Sequence, residues 1–162
     1  MEAAMLSLEQ YIEMAARVHG HICAGQILGL RMAMHGLELL GLDDPTGRDR
    51  KRLVTFVEID RCATDAIGVV TGCRLGKRAL KFRDWGKMAA TFCDLETGRA
   101  VRVVALESSK QKAKEMFPDA SGPGQQQVRA YGVMPVSDLF SAQWVRVRGG
   151  PEDLPGFKSA RV

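Results

Sequence analysis

His19-Gly20-His21-Ile22-Cys23-Ala24-Gly25, followed at once by Gln26-Ile27-Leu28-Gly29-Leu30-Arg31-Met32, lies between two stretches of helical periodicity. Upstream, Leu8, Tyr11, Ile12, Ala15 and Val18 keep an apolar stripe, and Ser7 with Gln10 makes a capping box. A helix is therefore predicted from about 8 to 18, stopping at the His19-Gly20 junction. Downstream, Ile27, Leu28, Leu30, Met34, Leu37 and Leu40 recur at helical spacing. They predict a longer helix from about 24 to 40, with Gly41 as its C-cap. Gly25 and Gly29 stand on one side of that helix, where they suit close packing or the close approach of a ligand.

After a turn by composition at Asp43-Asp44-Pro45, Leu53-Val54-Thr55-Phe56-Val57-Glu58-Ile59 is rich in β-branched residues and reads as a strand. A short helix from about 62 to 70 follows, then a turn through Cys73 and Lys77, then a short strand near 79 to 82. Segments near 88 to 94 and 101 to 106, joined by Glu96-Thr97-Gly98-Arg99, give a β-hairpin signal. A helix over about 110 to 117 ends at Pro118, and Ser121-Gly122-Pro123-Gly124-Gln125-Gln126-Gln127 reads as a linker. A short helix near 136 to 140 and a strand near 143 to 147 close the core. Helices first and hairpin-linked strands after predict an α+β fold, two N-terminal helices on a mainly antiparallel sheet. The expected core domain is 1–148, with 149–162 a flexible C-terminal tail.

The chain has 162 residues, 46% hydrophobic and 26% charged, which suits one globular domain with a real core. No apolar run reaches the roughly 18 residues of a membrane span, and no basic-then-apolar leader opens the sequence, so a cytoplasmic location without membrane association is the expectation. The net charge is +4 and only 6% of residues are aromatic. The tightest basic cluster, Arg48, Arg50, Lys51 and Arg52, is interleaved with acidic residues and reads as a solvated loop, so no nucleic-acid partner is expected. Cysteines stand at 23, 62, 73 and 93 with no C-x-x-C pair, which disfavours a zinc ribbon or a thioredoxin-like site.

The opening stretch nevertheless concentrates ligands. His19, His21 and Cys23 at alternate positions offer imidazole and thiolate to a borderline metal, with glycines to aim them. The alternative is a glycine-broken helix junction whose histidines cap or pack. A bare H-x-H-x-C is an incomplete site, and the second reactive concentration, Glu58-Ile59-Asp60-Arg61-Cys62-Ala63-Thr64-Asp65, is where completion is expected. Cys62 falls just past a strand end at a helix start, where unpaired N–H groups favour thiolate, and is the best candidate to join His21 or Cys23. Asp65 suits a partner that fixes a histidine tautomer. Asp60 has a capping role as its plain alternative. Thr71-Gly72-Cys73-Arg74-Leu75-Gly76-Lys77 lacks the phosphate-loop spacing, though Lys77 leaves room for an anion-binding turn.

The motifs His19-Gly20-His21-x-Cys23-x-Gly25, Leu28-Gly29-x-Arg31-Met32, Glu58-x-Asp60-x-Cys62-x-x-Asp65-Ala66-Ile67, Thr71-Gly72-Cys73-x-x-Gly76-Lys77 and Phe82-Arg83-Asp84-x-Gly86-Lys87-Met88-Ala89 resemble, in collinear order, the FmdE family. The family is named after the FmdE component of molybdenum formylmethanofuran dehydrogenase. The resemblance implies an α+β core, commonly dimeric, with a divalent metal, zinc first, held among His19, His21, Cys23 and Cys62; His21, Cys23 and Cys62 rank above His19. It also implies a molybdenum or tungsten oxidoreductase as partner. Two departures stand out: the family's C-terminal zinc ribbon has no counterpart after Val147, and Ala24 replaces a frequent proline. The leading expectation is an accessory or assembly subunit for a formylmethanofuran dehydrogenase-type enzyme. The alternatives are a stand-alone metal-dependent enzyme, with Cys23, Asp60 or Asp65 as catalytic candidates and Glu58 as a further base, or a thiol redox or metal-sensing module that adds Cys73.

Overall fold

A computed structural model describes residues 5–148. The expected tail, 149–162, lies outside the described residues. The first helix, α1 (Leu8–His19), opens with the predicted capping box: Ser7 Oγ accepts from the Gln10 amide at 3.2 Å, and the Gln10 side chain accepts from Ser7 N at 2.9 Å. The second, α2 (Ala24–Leu40), ends at Gly41 in the left-handed conformation, as the periodicity implied.

Strand β1 (Leu53–Val57) leads into α3 (Cys62–Thr71). A single 3-10 turn (Leu75–Lys77) then delivers the short β2 (Leu80–Phe82), and β3 (Ala89–Asp94) and β4 (Ala100–Ala105) form the hairpin. The remaining elements are α4 (Ser108–Met116), α5 (Gly122–Tyr131), α6 (Val136–Leu139) and β5 (Phe140–Val145). The strands make one sheet in the order β2-β1-β3-β4-β5. Only β1–β2 is parallel, with Thr55 opposite Leu80; Thr55 lies opposite Phe92, and Phe92 opposite Val101, in antiparallel ladders.

All the helices that form the core gather on one face. Leu30, Met32, Ala33 and Leu37 of α2, Ile67 and Val70 of α3, and Phe92, Val101 and Val103 of the sheet are buried together. Among the described residues, the other face carries a small cluster of Val54, Cys93 and Ala100, with Phe56 and Val145 packed against it. Alternation along β1 explains the split: Leu53, Thr55 and Val57 point to the helices, Val54 and Phe56 away.

The segment that reads as a linker is instead the start of α5. Pro123 falls in the first turn, where its missing N–H costs nothing, and Gln126, Ala130 and Tyr131 recur at helical spacing on the buried side. Composition alone hides this, because the glycines and prolines mark the helix start and the burying residues come later. The last strand also begins three residues earlier than its pattern suggests, since Phe140 is the first paired residue, opposite Ala105. No described helix is long and apolar enough to cross a membrane.

A candidate metal centre at the junction of three helices

His19 is the last residue of α1. Gly20 follows with φ +93°, donating its N–H to Ala16 at 2.8 Å, a left-handed geometry that a side chain resists. The chain turns there and reaches Cys23, whose extended backbone is the N-cap of α2. Gln26, fully buried, fixes this corner. Its Oε1 accepts from the Cys23 amide at 3.2 Å while its Nε2 donates to the Ala15 carbonyl of α1 at 3.3 Å. Sequence reading missed Gln26 as a positioning residue; its signal was the glutamine at the third helical position after Cys23.

Cys62 enters from a different direction, as the first residue of α3. The two helices meet at glycines. A Cβ on Gly25 would sit 3.5 Å from Cys62 Cβ, and one on Gly29 would lie 2.5 Å from the Ala63 carbonyl oxygen. The packing role foreseen for this glycine pair is thus the observed one, and it sets Cys62 against Cys23. One ring nitrogen of His19 and the sulfurs of Cys23 and Cys62 all lie within 4.8 Å of one another. His21 is exposed outside this group, its ring centroid 5.0 Å from that of His19. The order expected from the sequence, His21 before His19, is the reverse of the spatial arrangement.

Asp65 stands one turn into α3, and its Oδ2 lies 2.8 Å from His19 Nδ1. This is the placement expected of a partner that fixes a histidine tautomer. The expectation for Cys62 itself needs correcting. Burial, and then the neighbouring Cys23 thiol, push the Cys62 thiol up from its ordinary value, and the pull of the helix-start backbone is too weak to reverse this. A cation between the two sulfurs would replace that repulsion with attraction. Asp60 is exposed and supplies no cap: Arg61 is the N-cap of α3, and Thr64 Oγ1 closes the turn by donating to the Ile59 carbonyl at 2.6 Å. With His19, Arg61, Cys62 and Asp65 it lines a cleft of about 430 Å³ open to solvent.

The other candidates lie elsewhere. Glu58 is held by Arg102, whose Nε and Nη2 donate to its two oxygens at 2.7 and 2.9 Å. Cys73 is fully buried, accepting from Thr55 Oγ1 at 3.5 Å, and Cys93 belongs to the cluster on the helix-free face. Lys77 meets Arg50 and Lys51 at a separate cleft of about 250 Å³. Arg48 and Arg52 of the basic loop are drawn into ion pairs with Asp43, Asp49 and Asp94.

An α+β scaffold that gathers one imidazole and two thiols at a three-helix junction defines a class of domains with a candidate N/S metal centre. A family profile described as "FmdE, Molybdenum formylmethanofuran dehydrogenase operon" matches residues 18–141, and the chain belongs to that family. A protein from Archaeoglobus fulgidus named "Probable S-adenosyl-L-methionine-binding protein" is 31% identical over 140 residues, which is 86% of this chain. The chain spans about a third of that relative, 33% of its length. The crystal structure of a tungsten formylmethanofuran dehydrogenase FmdE-like protein from Syntrophus aciditrophicus superposes with a TM-score of 0.69 at 22% identity. The match covers 98% of this chain and 81% of that one, so the two share a fold.

Proposed function

We propose that this chain binds a zinc-type divalent ion through His19, Cys23 and Cys62, with His21 closing the fourth position. In this reading it serves, as a cytoplasmic homodimer, as an accessory or assembly subunit of a molybdenum or tungsten formylmethanofuran dehydrogenase-type enzyme. The observation that carries the metal reading is the convergence of the three donors within 4.8 Å. A tetrahedral zinc places thiolate sulfurs about 3.8 Å apart, so the cluster needs only a small contraction to close on an ion. The donor chemistry fits as well. With His19 Nδ1 turned to Asp65, Nε2 is the ring nitrogen left with a lone pair. The partner reading rests on family membership.

A second reading is favoured by the same geometry. Three protein donors leave one coordination position, which in zinc enzymes is filled by water or substrate, whereas a carrier or structural site closes with a fourth protein ligand. His21, beside His19, is the residue placed to make that difference. The test is zinc stoichiometry and affinity of the purified chain, with X-ray absorption to count sulfur and nitrogen neighbours. The accessory reading expects about one zinc per chain with two sulfurs and two nitrogens, lost on Cys62→Ser and weakened on His21→Ala. A zinc site indifferent to His21→Ala, with an oxygen neighbour, supports the enzyme. A chain that takes up no zinc, or whose affinity survives Cys62→Ser, overturns the shared site.

A further inference from the structure

The helix-free face of the sheet carries a groove of about 590 Å³ that the candidate metal centre does not use. Its floor is Phe56, Thr91 and Val145, and its wall is the loop that follows β2, which crosses the end of β1. That loop is pinned: Arg83 N donates to the Val57 carbonyl at 3.1 Å, and Trp85 N to the Glu58 carbonyl at 2.9 Å. Two aromatic side chains are thereby held in water. Phe82 is 47% exposed and Trp85 58% exposed, and the Arg83 guanidinium lies 4.6 Å from the Trp85 ring centroid.

The charge around this groove is one-sided. Among the described residues that line it, Lys81, Arg83, Arg102, Arg146 and Arg148 stand against the carboxylate of Glu58. That carboxylate is already occupied by both donors of Arg102. The groove therefore carries net positive charge beside a flat π surface on which a guanidinium already rests. The volume is that of a small-molecule site, within the roughly 300–1,000 Å³ range of such pockets. A second copy of the chain is a poor occupant, because two-fold pairing would set one basic rim against another.

We infer that this groove binds a small phosphorylated ligand with a flat aromatic ring, of the nucleoside diphosphate kind, its ring stacked at Trp85 and its phosphates held by Arg83, Arg146 and Arg148. Stacking on an aromatic side chain and guanidinium contact with phosphate oxygens are the two interactions that the groove offers and that such a ligand needs together. Neither alone would select it: a neutral ring wastes the basic rim, and inorganic phosphate wastes the tryptophan. Glu58 and Arg102, locked to each other, give the groove a fixed polar lining.

The chain has two tryptophans, and Trp144 stacks against Arg99 without lining the groove. Trp144→Phe in the full-length protein therefore leaves Trp85 as the reporter. Titration of that variant with ADP, adenosine and pyrophosphate is expected to give saturable quenching with ADP in the micromolar to low millimolar range. Adenosine and pyrophosphate should each bind about tenfold or more weakly. Trp85→Ala, followed by calorimetry, should weaken ADP roughly tenfold, and Arg146→Ala with Arg148→Ala by a similar factor with a shallower salt dependence. Circular dichroism of each variant should match the parent, since these side chains are exposed. Absence of saturable ADP binding, equal affinity for pyrophosphate, or indifference to Trp85→Ala overturns the assignment. So does a groove protected by self-association in sedimentation, or one that takes an oligonucleotide but no mononucleotide.

Discussion

Gly29→Ala is the substitution that most directly tests how this fold builds its site. A Cβ at position 29 would lie 2.5 Å from the Ala63 carbonyl oxygen, 2.7 Å from its Cα and 3.0 Å from its carbonyl carbon. All three are backbone atoms, so no side-chain rotation relieves the contact. Non-bonded heavy atoms settle near 3.5 Å, and α3 must therefore retreat from α2 by about 1 Å. Such overpacking costs about 1–3 kcal/mol, while alanine in place of glycine returns about 1 kcal/mol of helix propensity. The expected net loss is up to about 2 kcal/mol, or a fall in Tm of up to several degrees for a chain of this length. Because Ala63 directly follows Cys62, the same retreat opens the thiol pair, and zinc affinity should fall about tenfold. Gly36→Ala is the control. Its Cβ would run into the Phe92 ring, so it also destabilises, but it sits about 10 Å further along α2. Urea unfolding followed by zinc competition on the folded protein separates the two. Gly29→Ala is expected to lose stability and zinc, Gly36→Ala stability alone. A Gly29→Ala protein with the parent's stability and zinc affinity would refute the reasoning, as would a Gly36→Ala protein that loses zinc equally.

Substitutions at three further positions probe single contacts. Asp65→Ala should weaken zinc binding about 10- to 100-fold in a chelator competition, and Asp65→Asn less, because the amide oxygen can still accept from His19 Nδ1. Gln26→Leu leaves the Cys23 amide without its partner and should lower stability by about 2 kcal/mol in urea, with a parallel loss of zinc affinity. Asp94 is buried, and although burial alone would raise its carboxyl, hydrogen bonds from Arg52, the Glu96 amide and Thr97 outweigh it and hold it below the usual range. A depressed carboxyl stabilises the fold above its unfolded value, near pH 4, and that share is lost as pH falls through the folded value. Asp94→Asn should thus be about 2 kcal/mol less stable at pH 7 and show a flatter loss of stability below about pH 4, read by unfolding at stepped pH.

How much of this was legible in the sequence depends on whether a residue's role is local. The capping box at Ser7 and Gln10, the C-cap at Gly41 and the boundaries of α2 involve neighbours a few positions apart, and periodicity reveals them. Gly122-Pro123-Gly124 misled because turn-forming composition and a helix start use the same residues. Which histidine joins the two cysteines is not a local property. His19 and His21 are equivalent in spacing from Cys23 only to within a turn of chain. What separates them is that α1 carries His19 to its final residue, where Asp65 on α3 reaches its ring, while Gly20 swings the backbone away and leaves His21 in solvent.

Glycine is the informative residue type here for a related reason. The two thiols are 39 positions apart in sequence, at Cys23 and Cys62, and each sits at a helix start. Bringing two helix starts within thiol contact requires their axes to approach more closely than ordinary side chains permit, since helices usually pack about 8–10 Å apart. Gly25 faces Cys62 and Gly29 faces Ala63, one turn apart, so the approach is made along the first two turns of α2. Further along, Gly36 receives the Phe92 ring and seats the helix on the sheet. The glycines of α2 therefore do two separable jobs, one anchoring the helix and one bringing the thiols together. The pairing of Cys23 with Cys62 is as much a consequence of Gly29 as of the cysteines themselves.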